Sequence, residues 1–521
     1  MTTTKIALKD THRFSSIFMD YLDQHEALKP FYHRFPNIEN FKAQIEEKSK
    51  AYVPAHRMIM SQVLRNQYAK LERFPETKEN IRLLMKDRKT FTVTTGHQLN
   101  IFTGPLYFIF KIVSVINTCK ALKEAYPDCT FVPVYWMASE DHDFAEIAYF
   151  HLFGKKYEWE TEQTGAVGRM NPQELKAIIE QLPEAVPLFE EAYLQKKTLA
   201  EAVAHYVNTL FGKDGLVVID ADDKNLKALF RPVIRREIFD NESAPIIEAT
   251  SERLVNAGYK AQVHPREINF FYLFENTRER LVRNDNGDYD VLNRNWTMTK
   301  EELDRLIERN PERFSPNVAM RPLYQEWILP NLAYCGGPGE LAYWLQLKDM
   351  FEHFKVPFPI LLPRHFGMVF NKNLQNKWEK TGAKTENIFE DLQTLKANYI
   401  QRNSENEVSL EKEMEAIKAT FAQIAVQAES IDQSLQGFIG AEEAKTLKSI
   451  GNIEKRLKKS EERKHETGLK QIEAVLDKLF PNGGLQERHE NFLNFYLNND
   501  QFIEEVKEAF TAFDFRFTIL S

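Results

Sequence analysis

Residues 140–143 read Glu-Asp-His-Asp, three carboxylates crowded round one imidazole. Such crowding shifts pKa values and suits acid/base or metal chemistry. Asp141 and His142 are the catalytic candidates for taking a proton from a nucleophile. Asp143 stands three residues before Glu146, the spacing of a capping box, so it either caps a helix or joins Trp136 as a substrate-binding candidate. No second ligand pair at diagnostic spacing accompanies Asp141 and His142, so no protein-bound metal is expected. A second polar group, Gly96-His97-Gln98, precedes Thr103-Gly104-Pro105 at the opening of a helical pattern. Helix N-termini attract anions, which makes Gly96, Gln98, Thr103 and Gly104 candidates for holding a phosphate or carboxylate, with His97 as a further catalytic candidate. The plainer alternative is that the glycines shape the turn and His97 bonds the backbone. A third group, Cys335-Gly336-Gly337-Pro338-Gly339-Glu340, opens another helix and adds Gly336, Gly337 and Gly339 to the cofactor-binding candidates. Cys335 reads as a small buried residue, and no Ser/His/Asp order can be assigned. Neither GxxxxGK[ST] nor GxGxxG occurs.

The first two groups each end a β-rich run, at residues 90–95 and 130–138. Between the runs, Leu106, Ile109, Phe110, Val113, Ile116 and Asn117 mark one broad face of a helix entered through Gly104-Pro105. Strand, helix and strand in succession make a βαβ unit with parallel strands. Neighbouring strands lie about 5 Å apart, so both polar ends fall on one sheet edge, where ligands of open α/β sheets bind. His97 and His142 should therefore line one cleft. Residues 215–220 (GLVVID) look like another buried parallel strand, and 358–362 a last one, with Pro363-Arg364-His365 ending the sheet.

The expected organisation is a helical segment at 1–89 packed on the core, and the first half of a Rossmann-like parallel sheet at 90–150. Inserted segments follow at 151–314, including the core strand near 215–220, then the second half of the core at 315–384. A coiled-coil hairpin at 385–480 and a C-terminal segment at 481–521 complete the chain. Within the insert, short strands are expected around Gly154, a helical stretch over 172–210, and antiparallel strands at 270–275, 280–283 and 289–292 around the Asp285-Asn286-Gly287 turn. Leu410, Met414, Ile417, Phe421, Ile424, Ala428, Ile431, Leu435 and Phe438 alternate at spacings of four and three, a coiled-coil seam, which Gly437 and Gly440 then break. A second helix through Leu447, Ile450, Ile453, Leu457, Leu469, Ile472, Leu476 and Leu479 would fold back on it. Its uncovered apolar surface points to a homodimer.

At 521 residues the chain needs several domains. Its 68 Lys and Arg against 76 Asp and Glu give a net charge of −8, which argues against a phosphate-tracking nucleic-acid surface. Cys119, Cys129 and Cys335 form no CxxC and no even framework, as in a reducing compartment. Lys111 interrupts the longest apolar run, so no membrane span is expected and the reading is cytoplasmic.

Four stretches in order, TGHQLNIFTGPLYFIFK, FVPVYWMASEDHDFAEI, SPNVAMRPLYQEWILPNLAYCGGPGELAYW and PNGGLQER, resemble the cysteine ligase family of bacillithiol biosynthesis. The likeness spans nearly the whole chain. It implies a Rossmann core similar to class I aminoacyl-tRNA synthetases, connecting-peptide insertions and a dimerising coiled coil. The implied reaction joins the carboxyl of cysteine to the amine of glucosaminyl-malate after activation by ATP with its Mg. Members of the family often carry Gly-Gln-Gln where this chain has Gly96-His97-Gln98, although a histidine there is typical of class I synthetases. No KMSKS-like loop follows Leu362; Lys372 and Arg364 stand nearest. The two carboxylates of glucosaminyl-malate call for arginines, and Arg321 and Arg364 are the candidates. Two other readings are a nucleotide-responsive binding protein acting through its coiled coil, and a metal-dependent hydrolase built on Asp141, His142 and Asp143.

Overall fold

The computed structural model describes residues 2–404 and 409–521, so residues 405–408, within the expected hairpin range, lie outside the described residues. The chain divides into two compact units, residues 1–368 with 485–520, and residues 369–484.

In the first unit, five parallel strands form the central sheet. They are β1 (Thr90–His97), β2 (Thr130–Met137), β3 (Val217–Asp220), β4 (Asn331–Gly336) and β5 (Ile360–Pro363), in the spatial order β5-β4-β1-β2-β3. β1 is buried along its whole length, as a central strand covered on both faces must be. Its threonines meet that demand without leaving polar groups bare. Thr92 and Thr94 donate to Asn331 Oδ1 at 3.0 and 2.8 Å, and Thr95 donates to the Cys335 carbonyl at 2.8 Å. Asn331 in turn donates to Glu326, whose other oxygen takes Lys48 Nζ at 2.9 Å in a fully buried pair. These bonds lock β4 beside β1, with Thr95 opposite Cys335. On its other side β1 pairs with β2, so that Gly96 and His97 lie opposite Trp136 and Met137.

Helix α1 (Tyr107–Ala125) joins β1 to β2. It is buried on nearly every side, not on one face as its pattern suggested, because it is a core helix. Its N-terminus is not open. Leu106 N–H donates to the Glu490 carbonyl at 2.7 Å, and Asn491 donates to the carbonyls of Phe102 and Gly104 at 2.7 and 2.6 Å. The N-terminal region is mainly helical, with a short strand the sequence pattern did not reveal, Thr3–Ile6. That strand pairs antiparallel with Phe517–Leu520 at the other end of the chain. The expected helical stretch at 172–210 is interrupted, its α-helices running Lys176–Ile179, Pro187–Gln195 and Leu199–Phe211, because Pro187 starts a new helix and Thr198 caps the last. Phe270–Phe274, Thr277–Arg283 and Tyr289–Val291 form the antiparallel insert, closed by Phe314–Pro316 beside the first of them.

In the second unit, helices Glu411–Glu429 and Leu435–Lys464 pack together. The bond from Leu410 N–H to Glu454 near the far end of the second helix makes them antiparallel. The reversal falls at residues 430–434. Gly437, Gly440 and Gly451 all lie inside the second helix with open space round them, so the expected break at Gly437 and Gly440 is corrected. A glycine costs an exposed helix only about 1 kcal/mol, which long flanking helix absorbs. Leu469, Ile472 and Leu479 belong to a further helix, Glu466–Leu479, packed on Leu392–Asn403 and Lys372–Glu379 instead of on the 410–438 seam. Among the described residues no helix is long and apolar enough to cross a membrane.

Candidate active site

The strand order reverses at β1, whose neighbours β2 and β4 lead away on opposite sides. Open α/β sheets hold their ligands in the crevice that such a reversal leaves beyond the strand ends. A cleft of about 780 Å³ lies there, lined by the ends of β1, β2 and β4, by the insert and by Arg488.

On the β1 side, His97 is buried with its ring between Tyr107 and Phe108, at centroid distances of 5.3 and 5.2 Å. Its Nδ1 donates to the Gln98 carbonyl at 2.9 Å, and its Nε2 has no partner among the described residues. Burial, then the Lys111 charge, push the imidazole down to about 3, so the ring is neutral and Nε2 carries a bare lone pair. Gln98 extends its amide to Asp141 Oδ2 at 3.2 Å and to Glu146, tying the end of β1 to the segment after β2.

After β2, Glu140 lines the cleft with its carboxylate in an ion pair with Lys227, which is itself fully buried. Asp141 Oδ1 accepts the His142 N–H at 2.8 Å and lies 3.6 Å from Arg278 Nη1. Burial acts to raise the Asp141 carboxyl, yet the Arg278 charge, the Gln98 amide and the His142 backbone N–H hold it well below the usual range. A carboxylate so firmly ionised is a poor base. His142 is exposed on the cleft wall, with Arg278 Nη1 2.7 Å from its Nδ1. Arg278, on the inserted strand Thr277–Arg283, is buried against the Phe271 ring, 4.0 Å from its centroid, and donates to Ser315 Oγ at 3.1 Å.

The β4 wall is a glycine turn leading into helix α2 (Pro338–Trp344). Glu340 returns to the turn and accepts Gly337 N–H at 2.9 Å, Tyr334 OH, and Lys111 Nζ at 2.6 Å; Lys111 also donates to the Gly96 carbonyl at 2.7 Å. Burial opposes ionisation of Glu340, but Lys111 and these donors bring it down to about 2. Arg321 sits over the Tyr334 ring and donates to neutral groups, Gln325 Oε1 at 3.1 Å and Tyr343 OH at 3.2 Å.

The charges of the cleft do not balance. Lys111 is paired with Glu340, Arg278 with Asp141 and Arg364 with Glu487, while Arg266, Arg280, Arg321 and Arg488 have no acidic partner among the described residues. In a chain of net charge −8, these four arginines outnumber the two cleft carboxylates that make no ion pair among the described residues, Asp143 and Glu146, and make the cleft a site for anions.

A family model described as bacillithiol biosynthesis BshC, N-terminal Rossmann-like domain, matches residues 1–365. Its companion, the C-terminal coiled-coil domain, matches residues 367–521. The chain belongs to the BshC family of bacillithiol biosynthesis. It is 42% identical to a protein of Cytophaga hutchinsonii over 97% of this chain and 96% of that one. It is 41% identical to relatives from Flavobacterium psychrophilum and Christiangramia forsetii over 100% of this chain and 99% of theirs. All three are named "Putative cysteine ligase BshC". Membership makes this chain a ligase-type enzyme with a Rossmann-like core and a helical coiled-coil domain, as its sequence motifs imply.

Within this BshC fold, Gly96, His97, Gln98, Trp136, Asp141, His142, Asp143, Arg321, Gly337, Gly339 and Arg364 all line the one cleft, so His97 and His142 share it as expected. Thr103, Gly104 and Gly336 do not line it. Thr103 and Gly104 are buried, and the Gly104 and Leu106 N–H groups already donate to the Ile101 and Glu490 carbonyls at 2.9 and 2.7 Å, so these donors at the start of α1 are not turned to this cleft. Gly336 packs on Leu341 and Tyr334, where an added Cβ would lie 2.8 Å from Leu341. Arg364 reaches the wall with its guanidinium paired to buried Glu487, unlike Arg321. Asp143 precedes the short helix Phe144–Ile147 but its side chain makes no cap bond, and Glu146 takes Gln98 instead, so no capping box forms. Among the described residues, no group of three His, Cys, Asp or Glu side chains could hold a metal ion. The Arg278 guanidinium beside both Asp141 and His142 repels a cation at that place. Sequence reading missed Lys111, Arg278, Glu340 and Arg488. Lys111 alone carried a signal, as a lone charge in an apolar run.

Proposed function

We propose that this cleft forms the amide bond between the carboxyl group of cysteine and the amino group of glucosaminyl-malate, with ATP as the activating nucleotide. The observation that carries this reading is Arg321, a largely enclosed guanidinium at the strand-order reversal whose hydrogen bonds among the described residues go to neutral groups, while the carboxylate that acts on it, Glu340, is already paired with Lys111. A charge held without a counter-charge is costly unless a ligand supplies one, and a guanidinium fits a carboxylate with two parallel bonds. Glucosaminyl-malate offers two carboxylates, and the remaining unpaired arginines suit the phosphates of a nucleotide.

On this reading the open wall at Gly337 and Gly339 takes the nucleotide, with Arg488 beside it; a Cβ at Gly339 would meet nothing. Bound ATP, with its magnesium ion, would supply the leaving group that makes the cysteine carboxyl reactive. The chain's own residues do the positioning. Neutral His97 offers an acceptor and is unsuited to gripping phosphate. Asp141 contributes fixed negative charge, and exposed Asp143 faces the amine that must reach the acyl carbon unprotonated. Trp136 closes the floor of the cleft against Tyr324.

The same reading places the enzyme in the cytoplasm as a homodimer joined through the hairpin of the second unit. Ile424, Phe438 and Ile453 of that hairpin are 42%, 65% and 49% exposed, an apolar surface that a second copy would cover. The test of the activity is incubation of purified protein with cysteine, ATP and glucosaminyl-malate. A new thiol with release of AMP or ADP supports the ligase; ion-dependent hydrolysis without a new thiol overturns it.

A further inference from the structure

The contact between the insert and His142 has a chemical consequence. A guanidinium has no lone pair, so the 2.7 Å approach of Arg278 Nη1 to His142 Nδ1 is a donation to the imidazole. Asp141 Oδ1, the other group near Nδ1, stands farther off at 3.5 Å and is already bonded by the His142 backbone N–H. With Nδ1 accepting, the ring hydrogen must sit on Nε2. Arg278 has little freedom to do otherwise. It is buried, stacked on Phe271, and held by Ser315 Oγ at 3.1 Å and by the Pro316 carbonyl. His142 itself is exposed on the cleft wall, so a substrate can reach its ring.

We infer that Arg278 is a positioning residue which fixes His142 as an Nε2–H hydrogen-bond donor to an oxygen that gains negative charge as the amide bond forms. His142 is then neither the base that deprotonates the amine nor a static holder of substrate. This rests on the ligase reading of the cleft. In that reaction the amine nitrogen attacks the acyl carbon, the new C–N bond forms, the bond from that carbon to the activated oxygen breaks with its electron pair leaving on oxygen, and the amine gives its proton to solvent water. His142 transfers no proton in this scheme; its N–H steadies the charge on oxygen, as donors in oxyanion holes do. The insert thereby takes a direct part in the chemistry, since a strand more than a hundred residues downstream decides which nitrogen of His142 carries the hydrogen.

Two measurements on the full-length protein decide it. The first is the 15N spectrum of histidine-labelled protein without substrate, which needs no activity. It should show His142 with a hydrogen on Nε2 and an unprotonated Nδ1, and Arg278→Met should release that preference. A wild-type His142 with hydrogen on Nδ1 overturns the proposal whether or not the ligase reading holds. The second is steady-state kinetics of Arg278→Met, Arg278→Lys and His142→Phe. Removing a donor that acts in the transition state lowers kcat about a hundredfold to a thousandfold. KM should stay within about threefold, the loss should be shared by Arg278→Met and His142→Phe, and Arg278→Lys, which keeps a donor, should recover part of it. A rise confined to KM, or full kcat in His142→Phe, overturns it. If Arg278→Met does not fold, the wild-type spectrum and His142→Phe still decide.

Discussion

Replacing Arg321 with methionine should separate binding from folding. Among the described residues the guanidinium donates to Gln325 Oε1 and Tyr343 OH, while its ring contact is the Tyr334 face at 5.4 Å. Methionine keeps the aliphatic bulk and gives up two bonds to neutral partners, but it also removes an enclosed charge whose neighbouring carboxylate, Glu340, is paired with Lys111 instead. These effects offset, so stability should stay within about 1 kcal/mol of wild type. Binding should not survive so well. Hydrogen bonds to a charged group contribute about 1.5–3 kcal/mol, which is roughly 10- to 150-fold in affinity. Steady-state assays should therefore show the KM for glucosaminyl-malate raised by that factor, with the KM for cysteine much less affected. Arg364→Met is the control with the opposite signature. It leaves buried Glu487 without its partner, and breaking such a pair costs about 3–5 kcal/mol, so its melting temperature should drop by several degrees. An Arg321→Met protein with wild-type KM, or one as unstable as Arg364→Met, would refute the assignment of Arg321 as the free anion site.

Three further outcomes follow from the same geometry. His97 has a folded pKa of about 3 against an ordinary 6.5, so the folded state binds fewer protons between those values. Its contribution to stability is full above pH 6.5 and is lost as the pH falls towards 3, and denaturant titrations of His97→Gln should show a shallower loss across that window than wild type. Gly104 has φ +65° and a Cβ there would lie 2.5 Å from Asn100 Cβ, so Gly104→Ala should destabilise by roughly 2–4 kcal/mol in thermal melts. Ile424→Glu combined with Phe438→Glu should give a folded monomer by light scattering, whereas an intact dimer would move the interface off the hairpin.

The parts of this molecule that are local in sequence were legible, and those made by distant partners were not. The β1 and β2 runs, the GLVVID strand and the polar ends at 96–98 and 140–143 follow from short patterns, because a buried parallel strand shows itself as an unbroken apolar run that stops in polar residues. Arg278 could not be found that way. On an exposed strand edge it would look the same, and only the fold brings it to His142. The closure of the α1 N-terminus depends on Asn491, nearly four hundred positions from Phe102 in the chain, and strand Thr3–Ile6 needs residues 517–520 beside it. Arg364 and Arg321 both precede or follow a proline in tight segments and read alike. Glu487 pairs directly with one, and among the described residues no carboxylate makes an ion pair with the other, a difference no local pattern encodes. Gly437 and Gly440 misled for the converse reason: their cost is real but small beside thirty residues of continuous helix.

The central claim is tested most directly by mass spectrometry of the products formed when the purified chain meets cysteine, ATP and glucosaminyl-malate together. The account predicts a product with the mass of the two substrates joined less one water, a free thiol, and AMP or ADP in equal amount, all falling sharply with Arg321→Met at low glucosaminyl-malate concentration. Folded wild-type protein that leaves all three reactants unchanged would contradict it.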